Sequence, residues 1–155
     1  MYFIIGIIAV IVDQLTKSYA IKNFRGAGKE IIPNWLNFTY VENRGAAFGF
    51  LSNHPWVFTG LASIFVIFMT GFLLKNYNKL GSFYRFTLVI IIAGALGNLI
   101  DRLKYGYVID FIHSPLGGKI NFPVFNLADV YLTIAAIILA VYIIFSDGDK
   151  NDIFS

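Results

Sequence analysis

Two aspartates lie in or beside apolar stretches of the sequence, where an ionised carboxylate is energetically costly. Together they could carry out acid–base chemistry. Asp110 lies in the apolar stretch YVIDFIH, and Asp129 lies in FNLAD, just before a long apolar run. No single helix can align them, but the Pro and Gly residues of the intervening HSPLGGKINFP allow the chain to turn back. Two carboxylates a few ångströms apart tend to share one proton, which supplies an acid and a base at once. The alternative interpretation is two unrelated acids near an interface.

Further charged residues are spaced to share helix faces. Asp13 and Lys17, in DQLTK, are one helical turn apart, and we expect them to form an ion pair that anchors a helix end. In GNLIDR, residues Asn98, Asp101 and Arg102 also share a face. For Asp101 and Arg102 two interpretations stay open, a helix-terminal ion pair and a part in an active site.

Three asparagines accompany these charges. Asn126 precedes Asp129 by three residues and so lies on the same face of the helix start, while Asn98 is expected to face a substrate. Asn43 is either a structural cap or a substrate contact. It begins NRGAAFG, residues 43–49, whose small residues allow a close approach by a neighbouring helix or a substrate chain.

Four apolar segments must position these side chains. Each is near the length of about 20 residues that crosses a bilayer, and they cover approximately residues 2–20, 55–74, 84–101 and 127–145. Only 14% of the 155 residues are charged, whereas a soluble domain is typically about a quarter charged. We predict one integral-membrane domain, residues 1–155, of the all-α class with four transmembrane helices. The strand-like runs WLNFTYV and YGYVIDFI predict a small β-platform outside the membrane.

Composition narrows the chemistry further. The sequence has no cysteine and two histidines, and its formal charge of +3 is scattered. We therefore predict no metal, no cofactor and no nucleic-acid partner. Two other classes stay open on the residues alone, a proton-coupled transporter with Asp13, Asp101 and Asp129 as relay sites, and a structural subunit. The acids cluster at helix ends and segment 55–74 has no charge, which disfavours a relay across the membrane.

Five motifs occur together in a fixed order, and as a set they resemble the bacterial lipoprotein signal peptidase family, also called signal peptidase II. The resemblance extends over nearly the whole chain and rests on DQLTK (13–17), NRGAAFG (43–49), GNLIDR (97–102), VIDFI (108–112) and FNLAD (125–129).

This resemblance implies an intramembrane aspartyl endopeptidase. Its substrate would be a prolipoprotein with a diacylglyceryl-modified cysteine, cut just before that cysteine so that the signal peptide is removed. The resemblance implies that Asp110 and Asp129 are the catalytic pair. Asp101 is the alternative candidate for one of these two positions. The resemblance also implies substrate-binding roles for Asn43, Asn98, Arg102 and Asn126, and supporting roles for Asp13, Lys17 and Asp101.

The resemblance also implies a location. It places the chain in the bacterial plasma (inner) membrane as a multi-pass protein, with both termini cytoplasmic and the β-platform extracytoplasmic. The catalytic pair would then lie near the outer leaflet, although a raw count of basic residues favours cytoplasmic long connections. Expected partners are the prolipoprotein substrate and membrane lipid, and we expect a monomer because the pair needs one chain.

Overall fold

Four long helices dominate the computed structural model, which describes residues 1–45, 55–115, 117 and 122–145. They are α1 (Tyr2–Phe24), α2 (Pro55–Asn76), α3 (Ser82–Tyr105) and α4 (Leu127–Phe145). Each is long and apolar enough to cross a membrane, which confirms the predicted four spans. Helices α1 and α3 continue about four residues past their predicted ends. Basic residues interrupt the apolar pattern there without ending the helix, because long Lys and Arg side chains can reach the aqueous interface.

Helix α3 is the centre of the bundle. It packs against α1, α2 and α4, and 61% of its most apolar stretch is buried, compared with 6% for α2. Helix α2 therefore buries few of its residues fully, as expected for a helix that faces lipid on one side. Helix α3 ends at Gly106, whose positive φ of 79° suits a left-handed C-cap that donates its N–H to Arg102 O.

Two glycines let neighbouring helices approach α3 closely. A Cβ atom added at Gly94 would lie 2.6 Å from the carbonyl oxygen of Ala128, and one added at Gly97 would lie 2.6 Å from Asp13 Oδ2. These distances leave no room for a side chain. The tight helix packing predicted for GNLIDR and the preceding glycine is therefore confirmed, and it brings α1 and α4 together at the C-terminal half of α3.

A small antiparallel sheet covers this end of the bundle. In the described part of the chain its strands are β1 (Lys29–Ile32), β2 (Leu36–Asn43) and β3 (Val108–His113), in that order. The two strand-like runs predicted from the sequence form β2 and β3, whereas β1 was not predicted. Asn43 pairs with Val108 and Val41 pairs with Asp110, so the ends of β2 and β3 that hold Asn43 and Asp110 are aligned.

The sheet is fixed to the helices by an apolar cluster of Ala20, Phe24 and Phe111. A bridge between Ile112 and Phe125 then returns the chain from β3 to the start of α4. Asp110 is thereby held beside the first turn of α4, where Asp129 lies. The return that the Pro and Gly residues predicted is confirmed, although residues 116 and 118–121 lie outside the described residues.

Candidate active site

Asp110 and Asp129 line the same cavity. Asp110 projects from β3 and Asp129 from the first turn of α4, and the cavity between them has a volume of about 500 Å³. Asn43 and Arg102 also line it. The rest of its wall is mostly apolar, with Phe122, Pro123, Val124, Phe125, Val130 and Ile134. Two carboxylates therefore share a mainly apolar cavity at the end of the helix bundle.

Asn126 connects the two carboxyl groups. Its Nδ2 lies 2.6 Å from Asp110 Oδ1, and its backbone N–H donates to Asp129 Oδ2 at 3.1 Å. In return the backbone N–H of Asp129 donates to Asn126 Oδ1 at 3.0 Å. This reciprocal pair is a capping box at the start of α4, so the element that begins the helix also orients both acids.

Asn98 holds the other oxygen of Asp129. Its Nδ2 donates to Asp129 Oδ1 at 2.7 Å, and its Oδ1 accepts hydrogen bonds from Lys17 Nζ at 2.9 Å and from Asn126 Nδ2 at 3.1 Å. Because an ammonium group can only donate, Lys17 requires the oxygen of this amide to face it. The NH₂ group of Asn98 is then directed at Asp129.

Lys17 is buried, and it has an acceptor for each of its three protons. Besides Asn98, its Nζ lies 2.9 Å from Asp13 Oδ2 and 2.9 Å from Asp101 Oδ2. The expected Asp13–Lys17 ion pair is confirmed. Asp101 pairs with Lys17 and accepts a hydrogen bond from the backbone N–H of Ile109 at 3.1 Å. The interpretation in which Asp101 and Arg102 form an ion pair is therefore wrong. Asp101 is fully buried and does not line the cavity.

Asn43 is a structural cap that also reaches the cavity, and its predicted contact with substrate stays a prediction. Its Oδ1 accepts the backbone N–H of Gly45, as a structural cap does, while its Nδ2 donates to Asp110 Oδ2 at 2.9 Å and its side chain lines the cavity. Residues 46–49, the small residues for which close approach was predicted, lie outside the described residues.

The pKa of Asp110 is raised to about 7. Burial in the mostly apolar surroundings is the main cause, and the negative charge of Asp129 adds to it. The amide hydrogen bonds from Asn43 and Asn126 act in the opposite direction, because they stabilise the ionised carboxylate. Burial prevails, so a substantial fraction of this carboxyl is protonated near neutral pH.

Hydrogen bonds and ion pairs connect all nine predicted site residues. Arg102 joins through the backbone oxygen of Asn98, at 3.4 Å, and it is close enough to Asp129 and Asp110 for electrostatic attraction. Asn98 and Asn126 do not line the cavity, because their amides are directed at the carboxylates. Their predicted contact with substrate stays a prediction.

One member of the network was missed. Gln14 Nε2 lies 3.0 Å from Asp101 Oδ1, 3.1 Å from Gly97 O and 3.2 Å from Asp13 Oδ2, so it bridges α1 and α3. The available signal was its position in DQLTK, three residues before Lys17 and hence on the same helix face.

Known proteins resemble this chain over nearly its whole length. Residues 5–145 match the family model described as signal peptidase (SPase) II. The lipoprotein signal peptidase of Clostridium tetani (strain Massachusetts / E88) is 38% identical over 157 residues, covering 100% of both chains. That of Streptococcus agalactiae serotype Ia is 42% identical over 151 residues, covering 96% of this chain and 94% of the relative.

A solved structure shares the fold. A bacterial membrane enzyme determined by the in meso method at 2.3 Å superimposes with a TM-score of 0.82 and 37% sequence identity, covering 96% of this chain and 90% of that one. From the family model, the relatives and the shared fold it follows that this chain belongs to the signal peptidase II family, and is an aspartic-type peptidase of the membrane.

Proposed function

We propose that Asp110 and Asp129 are the catalytic pair with which this peptidase removes the signal peptide from diacylglyceryl-modified prolipoproteins. The single observation that carries the proposal is that both aspartates line one cavity, whereas the rival acid, Asp101, is engaged by Lys17 outside it. The names of the relatives support prolipoproteins as the substrate class.

The environments of the two acids favour different roles. Asp110, with its raised pKa, is the protonated partner that hydrogen-bonds the scissile carbonyl oxygen and then helps to protonate the leaving amine. Asp129 takes the complementary, ionised role, and the Arg102 guanidinium attracts Asp129 more strongly than it attracts Asp110. Asp129 takes a proton from the water that attacks the scissile carbonyl carbon. No covalent intermediate is formed.

The surrounding polar residues divide into two groups. Arg102 and Asn43 line the cavity, and in this proposal they bind carbonyl oxygens of the substrate. Asn98 and Asn126 orient the carboxylates and reach substrate only through them. Asp13, Lys17 and Asp101 support Asn98 by fixing its amide.

The location of the cavity suits a substrate held in the membrane. Four apolar helices anchor the chain, and the cavity lies at the end where the sheet covers the bundle. In this proposal both termini are cytoplasmic, the cavity opens near the outer leaflet, and bilayer lipid holds the acyl chains of the substrate. A monomer suffices, because one chain supplies both aspartates.

Variants of the three acids test the assignment. We expect Asp110→Asn and Asp129→Asn to abolish cleavage of a diacylglyceryl-modified prolipoprotein, because each removes one half of the proton transfer. Asp101→Asn keeps a hydrogen-bonding side chain of the same shape, so we expect measurable, reduced turnover. The measurement is the cleavage rate in membranes containing equal amounts of each protein, with abundance and melting temperature checked in parallel.

Two results would contradict the proposal. Cleavage by Asp110→Asn together with a well-folded but inactive Asp101→Asn would mean that a different pair of acids is catalytic. Absence of cleavage by the wild-type protein would mean that the proposed substrate is wrong.

A further inference from the structure

Thr133 is a further polar residue of the cavity. It lies on α4 one turn after Asp129, and it lines the cavity that contains the two aspartates. Within an apolar helix a Ser or Thr hydroxyl commonly bonds back to the carbonyl four residues earlier. Ser63 and Thr87 do so at 2.8 Å. Among the described residues, the hydroxyl of Thr133 has no hydrogen-bond partner.

The position of this hydroxyl suits a polar atom that enters the membrane with the substrate. Four residues of helix advance about 6 Å along the axis, so Thr133 lies about that far below Asp129 towards the bilayer centre. The side chain of Thr133 is exposed to the cavity, so its hydroxyl is accessible to an incoming group with which it could form a hydrogen bond.

A second groove lies next to the cavity at this depth. It lies between α3 and α4, has a volume of about 440 Å³, and shares Val130 and Ile134 with the cavity. Its other lining residues include Phe86, Ile90 and Ile138, so it runs from the level of Thr133 along the two helices.

The size and lining of this groove suit an acyl chain better than a peptide helix. Its lining is mostly apolar, and its volume of about 440 Å³ is far smaller than that of one helical span, because such a helix is about 10–12 Å wide and about 30 Å long. An acyl chain that leaves the cavity here carries its ester carbonyl past Thr133.

We propose that Thr133 is a substrate-binding residue whose hydroxyl donates a hydrogen bond to an ester carbonyl of the substrate's diacylglyceryl group, with the attached acyl chain in the α3–α4 groove. This inference rests on the proposed function and adds to it a residue that distinguishes an ester-linked lipid from an apolar chain of the same length. The hydroxyl lies away from the scissile bond, so its contribution is to binding.

The test compares two synthetic lipopeptides with one peptide sequence. In one the cysteine sulfur carries a diacylglyceryl group, and in the other a dialkylglyceryl group with chains of the same length, which lacks the ester carbonyls. For the wild-type protein and for Thr133→Val, the ratio of kcat/KM on the ester to kcat/KM on the ether is measured. We expect Thr133→Val to lower this ratio about 5- to 10-fold, the effect of one neutral hydrogen bond, mainly through KM on the ester.

Two further variants make the result specific. Thr133→Ser restores a hydroxyl and should restore the ester-to-ether ratio. Thr70 on α2 is the matched control, because its hydroxyl also has no hydrogen-bond partner in the described part of the chain and lines a separate apolar groove. Thr70→Val should keep the wild-type ratio and rate.

Other outcomes overturn the inference. An unchanged ratio in Thr133→Val, whether its rates are normal or equally reduced on both substrates, would show that the hydroxyl does not bind the ester. If Thr133→Val is too unstable to assay, two measurements remain: the ester-to-ether ratio of Thr133→Ser, and the preference of the wild-type protein for the ester over the ether. A wild-type protein that does not prefer the ester then refutes the inference. Cleavage of neither lipopeptide by the wild-type protein would instead contradict the proposed function.

Discussion

At the scale of single residues, Lys17 determines how the polar side chains are arranged. Its three acceptors come from Asp13 on its own helix and from Asn98 and Asp101 on α3. Removing one partner of a buried ion pair is strongly destabilising, because it leaves an uncompensated charge. Here the loss would also release the amide of Asn98, which otherwise points its NH₂ group at Asp129.

The raised pKa of Asp110 predicts a pH dependence. If Asp110 is the general acid, kcat/KM should be high while this carboxyl is protonated and should fall as the pH rises through about 7. Asn43→Ala removes a hydrogen bond that stabilises the ionised form. It should therefore raise the pKa of Asp110 and move the falling limb of the profile to higher pH, in addition to lowering the rate.

The control for this profile is Asn37→Ala, an asparagine on the same strand that does not line the cavity. Its pH–rate profile should match that of the wild-type protein. A profile without a falling limb between pH 6 and 9, or one that moves equally in both variants, would contradict the role of Asp110 as the acid.

The sequence predicted which polar residues lie close together and could not predict how their side chains are oriented. Asn98, Asp101 and Arg102 share a helix face by spacing, so their proximity could be read from the chain. That Asn98 turns its oxygen to Lys17, and that Asp101 pairs with Lys17 instead of Arg102, depends on how α1 docks on α3. The contribution of Gln14 was missed for the same reason.

At the scale of elements, the contact between α1, α3 and α4 depends on Gly97. A Cβ there would lie 2.6 Å from Asp13 Oδ2 and 3.2 Å from Ala128 Cβ. We expect Gly97→Ala to destabilise the protein by about 1–3 kcal/mol, as overpacking of a close-packed core does, and to reduce cleavage by displacing Asp13. Thermal unfolding in detergent and the cleavage rate measure the two effects.

Gly71 provides the matched control, because it lies within α2 and no atom lies within 4 Å of its added Cβ. Gly71→Ala should leave activity unchanged and raise stability by about 0.5–1 kcal/mol, the difference in helix propensity. Equal stability and activity for the two variants would show that the close approach at Gly97 is unimportant.

The elements differ in how well the sequence predicts them. The four apolar segments are long and continuous, and the alternation in β2 and β3 is visible in the sequence. Strand β1 was missed because KEII has no alternation and all four of its residues are exposed. It forms by pairing with β2 across a turn in which Asn34 has a φ of 60°.

At the scale of the whole molecule, the proposed orientation makes a topological prediction. The sequence has no cysteine, so single cysteines can be introduced without a background signal. Lys29→Cys, on the exposed strand β1, should react with a membrane-impermeant maleimide in intact spheroplasts. Lys79→Cys, exposed between α2 and α3, should react only after permeabilisation. The opposite labelling pattern would place the cavity on the cytoplasmic side and contradict the proposed orientation.

The division of the polar network between α1 and α3 has a consequence for biosynthesis. Lys17 and Asn98 are 81 residues apart, so at about 5–20 residues per second the ribosome completes the α3 contribution about 4–16 s after that of α1. During this interval α1 is in the membrane with a charged ammonium group, and its partner on α3 has not been synthesised. Asp13, one turn earlier on the same helix, can neutralise Lys17 from the beginning. The Asp13–Lys17 pair thus keeps α1 electrically neutral in the membrane until α3 is synthesised. When α3 packs against α1, Asp101 and Asn98 also bind Lys17 and complete the buried polar network that includes Asp129.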